Sequence, residues 1–236
     1  MVRVFDKNMF IMMSAILIGI VVVTYFIADI VYQTQIDEIN TEHSSEIKTI
    51  EENNINFTSS FLESSVLLDS AREDRAFGNY HFDLAQLFYT STLNENNESR
   101  MNHYKNSSID NCTRAMPNYL NSHENFLISA NFFENTKDFT TYENYLKLLS
   151  MYVNLTETGA KVTLLRYNAS IYLKRIVENI TYVNGSSSFG TNMSDLLALF
   201  NNTMNMYGAL VEEYEDIQEE IDEYDIKGFT TIREPN

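Results

Sequence analysis

Residues 9–28, MFIMMSAILIGIVVVTYFIA, are twenty positions without a charge. At about 1.5 Å per helical residue the run covers roughly 30 Å, the hydrocarbon thickness of a bilayer. A cleaved signal peptide has a shorter apolar core, roughly 7–15 residues, ending in a small-x-small site. Here Phe26, Ile27 and Ala28 lead straight into Asp29. The run is therefore expected to remain as an uncleaved transmembrane signal-anchor helix over 9–32. Arg3 and Lys7 precede it, and the next basic residue is Lys48. The positive-inside rule then leaves 1–8 as a short cytoplasmic tail and puts everything after the anchor outside the cell membrane. Phe10 at one end and Tyr25, Phe26 and Tyr32 at the other suit an aromatic belt. Ala15 and Gly19 form a small-xxx-small pair that lets two membrane helices approach closely.

Beyond the anchor the chain is acidic. Arg3 and Lys7 cancel Asp6 and Asp29, so the exterior part keeps the full net charge of −17. Such a surface repels nucleic acid and anionic lipid heads. The single cysteine, Cys112, rules out an intramolecular disulfide. The exterior part must stand on its hydrophobic core, with Cys112 expected inside it. N-x-S/T sequons occur at Asn56, Asn97, Asn106, Asn111, Asn154, Asn168, Asn179, Asn184, Asn192 and Asn201, all on the predicted exterior side. This pattern fits an N-glycosylated glycoprotein.

Two prolines and seven glycines are too few for a fold built on strands and tight hairpins. The apolar spacing is helical, at three and four. Ile36, Ile39, His43, Ile47 and Ile50 make a thin stripe, read as a helical stalk over 33–55 that pairs with another chain as a coiled coil. Four fuller stripes follow, at about 56–92, 98–135, 141–183 and 192–227. Turns are expected between them, with 184–192 the least ordered. Thr140 and Glu143 suit a capping box at the start of the third. Gly228 is a stop signal before a flexible tail, 229–236. Gly78, Pro117 and Gly159 fall inside stripes, and Pro117 is expected to kink or break its helix. The prediction is an all-α protein, with an up-down-up-down four-helix bundle over 56–228. In an a/d-inward heptad frame all sequons fall on outer, flanking or turn positions except Asn111, which lies near the seam.

The catalytic inventory is empty. Di-metal bundles need Glu-x-x-His, and the residues three before His43, His81, His103 and His123 are Asn40, Gly78, Arg100 and Leu120. No zinc spacing, phosphate loop, nucleophile elbow or calcium loop is present. The chain reads as no enzyme, with no cofactor and no bound metal. Two charge features stand out. Arg72, Glu73, Asp74 and Arg75 form a patch on the first bundle helix. Glu212, Glu213, Glu215, Asp216, Glu219, Glu220, Asp222, Glu223 and Asp225 crowd the end of the fourth, where the helix dipole favours cations. That acidic surface suits docking by a basic partner or loosely held divalent cations.

The shape is loosely similar to the helical sensor ectodomains of chemoreceptor-like proteins. The expected function is protein–protein interaction, as a structural or accessory subunit of a cell-surface assembly, with self-association through stalk and membrane helix. The alternative is an extracellular ligand-sensing module that signals through a partner, favoured if a ligand-sized pocket lay near Arg72, Arg75 or Arg166.

Overall fold

The structure is a computed structural model. It describes the backbone of residues 7–190 and 193–224, and side chains from residue 27 onward within those spans. The elements run α1 (Lys7–Asn94), α2 (Glu98–Thr136), a 3-10 turn (Lys137–Phe139), α3 (Glu143–Glu178), β1 (Ile180–Val183), β2 (Ser186–Phe189) and α4 (Met193–Glu223). The chain divides into two compact units, 1–53 and 54–236.

The first unit holds the N-terminal part of α1. Among the described residues no helix is long and apolar enough to cross a membrane. Most of the predicted anchor, with Ala15 and Gly19, precedes the first described side chain. From residue 27 to 50 the large apolar side chains, Ile27, Ile30, Val31, Tyr32, Ile36, Ile39, Ile47 and Ile50, are all exposed. Thr34, Thr41 and Thr49 donate their hydroxyls to carbonyls four residues back, so these polar groups are satisfied within the helix itself.

The second unit is a helical bundle. One seam joins α1 to α2. On α1 the positions seven apart are Phe57, Ser64, Ala71, Gly78, Ala85 and Thr92, all buried. On α2 they are Met101, Ser108, Ala115, Ser122, Ser129 and Thr136, also buried. A heptad of small residues lets two backbones come close. Three serines exploit it: Ser129 donates to the Ser64 carbonyl at 2.8 Å, Ser122 to Ala71 at 2.6 Å and Ser108 to Ala85 at 2.7 Å. The acceptor number rises as the donor number falls, so the helices are antiparallel. Each buried hydroxyl thereby meets its hydrogen-bonding requirement without a side-chain partner.

Large side chains fill the rest. Phe61, Phe133 and Tyr152 pack at centroid distances of 4.8–5.7 Å, joining α1, α2 and α3. A second cluster gathers Phe82, Ala85, Cys112, Ala115, Tyr119, Ala169, Leu173 and Val177. Gly78 and Gly159 are seats for rings rather than weak points. A Cβ on Gly78 would lie 2.6 Å from Tyr119, and one on Gly159 2.6 Å from Phe126. Helix α4 is the least buried: Met193, Thr203, Tyr214 and Ile221 are its only buried positions.

Several expectations need correction. Pro117 lies within the continuous helix α2, exposed, and does not break it. The third helix ends at Glu178, because the chain then enters a two-stranded antiparallel hairpin pairing Ile180 with Phe189. Asn184 and Gly185 have φ of 51° and 86°, the left-handed pair that a two-residue hairpin turn requires. The predicted capping box does not form. Tyr142 is the N-cap of α3 without a side-chain cap bond, and Thr140 Oγ1 instead accepts from the Tyr142 amide. The predicted stop at Gly228 and the tail 229–236 lie outside the described residues.

Candidate glycan-acceptor and docking sites

A glycan acceptor must present its side-chain amide to solvent. Asn56, Asn97, Asn106, Asn154, Asn179, Asn184 and Asn201 are exposed, Asn111 and Asn168 are half-buried, and Asn192 is outside the described residues. Asn111 is the most engaged. Its Oδ1 accepts from His81 Nδ1 at 3.1 Å, and its Nδ2 donates to the Ser107 carbonyl at 2.9 Å. Asn97 is the N-cap of α2, where Oδ1 accepts from the Arg100 amide at 3.1 Å. That cap uses the oxygen and leaves the nitrogen, the atom a glycan takes. Asn179 is the C-cap of α3, and its Nδ2 donates to the Arg175 carbonyl.

The hairpin closes one end of the bundle. Lys105 Nζ donates to the carbonyls of Glu178 and Ile180, at 2.9 and 2.7 Å, supplying a cation where the end of α3 has bare carbonyls. Ser187 donates to the Leu93 carbonyl, and the Tyr182 hydroxyl to that of Asn96.

The charged patch of α1 is used internally. Arg72 Nε donates to the Tyr214 hydroxyl at 3.1 Å, and the same guanidinium reaches Gln218 and Asp69. Arg75 lies 4.4 Å above the Tyr214 ring and 5.8 Å from Phe126. Asp74 accepts from Asn125 at 3.2 Å, while Glu73 is exposed. On α3, Arg166 sits between Tyr207 at 3.9 Å and Phe82 at 4.6 Å, with its Nε buried and unpartnered. Each arginine thus has a ring of the protein's own against it. In its acidic stretch α4 docks through Tyr214 under Arg75 and Tyr224 under Lys147 at 4.9 Å, worth about 0.5–2 kcal/mol per pair. Sequence reasoning flagged these arginines but not their aromatic partners, which come from helices distant along the chain.

Titration follows burial. Burial pushes the Cys112 thiol up to about 12, with Lys174 working weakly against it. Burial also raises Tyr119, opposed by Arg166, and raises Tyr152, opposed by Arg72. None of these groups is poised for acid–base chemistry near neutrality.

Glu212, Glu213, Glu215, Asp216, Glu219, Glu220, Asp222 and Glu223 are all exposed, and Asp225 is outside the described residues. The last turn of α4 holds no basic residue. Among the described residues no group of three or more His, Cys, Asp or Glu side chains is placed to hold a metal ion. No family model matches this chain, and no curated protein or solved structure matches it either.

Proposed function

We propose that this chain is a membrane-anchored, N-glycosylated exterior protein that acts through protein contacts as an accessory subunit of a cell-surface assembly. The observation carrying this reading is the exposed apolar row from Ile27 to Ile50. A single helix with those side chains in water gains nothing from them. Lipid at its start and another helix along Ile36, Ile39, Ile47 and Ile50 give the row an environment. The exposed sequon asparagines support exterior placement, and the acidic face of α4 supports a basic partner. Arg72, Arg75 and Arg166 are occupied by Tyr214, Phe126, Tyr207 and Phe82, which favours a filled bundle over a ligand-sensing one.

The test is native-size analysis of protein extracted gently from its own membranes, before and after glycosidase treatment, with co-migrating chains identified. A discrete complex with stoichiometric partners and a mass drop on glycan removal is expected. A lone chain with no glycan would overturn the proposal.

A further inference from the structure

The bundle part of α1 has a second apolar face, directed away from the core. Ile55, Leu62, Val66, Phe77, Tyr80 and Leu87 are each more than half exposed. At 100° per residue they fall in a band about 80° wide and about 50 Å long. The buried seam through Ser64, Ala71 and Ala85 lies on the opposite side of the helix. An outward helix face is ordinarily polar, and six large apolar groups along one band mark a docking surface.

Charge decides the occupant. Asp69 and Glu73 sit at the middle of the band and are exposed, and Asp83 flanks it. Between Lys48 and Arg100 the sequence has two cations, Arg72 and Arg75, and both reach Tyr214 of α4. Arg72 Nη1 also lies 3.5 Å from Asp69 Oδ1, so the band keeps an excess of acid, with Glu73 at its centre and Asp83 at its flank. A second copy of this face would set Glu73 against its own equivalent, in parallel or antiparallel pairing alike, because it lies at its centre. The stretch between Asn56 and Asn97 also holds no sequon, so no glycan attaches along the middle of the band.

We infer that this face of α1 receives an amphipathic helix of a different protein, apolar at both ends and carrying Lys or Arg at its centre. The inference rests on the accessory-subunit reading and names one of its contact surfaces.

The experiment uses the full chain in lipid nanodiscs with a benzophenone side chain at position 77. The probe is a synthetic amphipathic peptide of about seven helical turns, with leucines on one face and two central lysines. A control peptide carries glutamates in their place. The lysine peptide is expected to cross-link and the glutamate peptide not. The double variant Leu62→Asp/Leu87→Asp, checked for unchanged helicity, should weaken binding tenfold or more. Glu→Gln changes at 212, 213, 219 and 220 should weaken binding less than the α1 changes do. Three results overturn the inference: loss of binding only with the α4 changes, a cross-link between two copies of this chain, or no cross-link at all. The accessory-subunit reading fails separately, by the absence of companions in the native-size analysis.

Discussion

Ser122 donates its hydroxyl to the carbonyl of Ala71 across 2.6 Å, from one antiparallel helix to the other. A side chain reaches a neighbouring backbone directly only where the helices are close, and here residues seven apart on both sides are small. Replacing Ser122 with Ala removes one buried donor and should cost about 1 kcal/mol. Replacing it with Leu forces bulk between two backbones and should cost about 3 kcal/mol. Denaturant unfolding of both variants checks the order.

The glycines separate propensity from packing. Gly208 has nothing within 4 Å of a built Cβ, so Gly208→Ala should stabilise by about 0.5–1 kcal/mol. Gly78→Ala and Gly159→Ala gain the same propensity but push against buried rings of Tyr119 and Phe126. Both should be destabilised by about 1–3 kcal/mol. Thermal unfolding of the three variants distinguishes them by sign.

Alkali should loosen the bundle. The Cys112 thiol has its ordinary value at 9.0 and is pushed up to about 12 in the fold. Its folded pKa is raised, so its contribution is fully present below 9 and is lost as pH climbs toward 12. Tyr119, Tyr152 and Tyr89 are shifted in the same direction by burial. Stability should fall with pH above about 9, and a thiol reagent at pH 8 should label Cys112 only after unfolding. Labelling of the native protein at pH 8 at the unfolded rate would contradict this.

Helix α4 should be the first part to open. Tyr214 is its main buried ring, beside Phe126 at 6.2 Å and beneath Arg75. Tyr214→Phe removes only the bond from Arg72 and should cost about 1 kcal/mol. Tyr214→Ala should cost about 3–5 kcal/mol. Hydrogen exchange should show α4 amides losing protection in that variant before those of α2 and α3.

The long helices were legible because their apolar residues recur at three and four with few breakers. Inward positions such as Phe57, Phe82, Cys112, Tyr119 and Leu173 could be read off that spacing. Ser64, Ser122 and Ser129 could not, since a buried serine looks like a solvent one until its acceptor on another helix is known. The hairpin was missed for a different reason. Its signal is local, Asn184-Gly185 with both φ positive, and a composition poor in glycine concealed it. Tertiary packing also decided Gly78 and Gly159, where the rings that need the space come from other helices. The outward face of α1 is present in the sequence as apolar residues in a second register, which the spacing of three and four does not separate from the inward one.

The serine bonds at 64, 71 and 85 set how α1 and α2 can move against each other. Acceptors recur only once per heptad, so the next matching position is about 10 Å along the axis. A small axial slide would break three buried hydroxyl bonds and move the Tyr119 ring off the space that Gly78 leaves for it. Within the bundle, α1 therefore resists a piston stroke of an ångström or two. Mechanical input to this pair is carried as bending or rotation of both helices together.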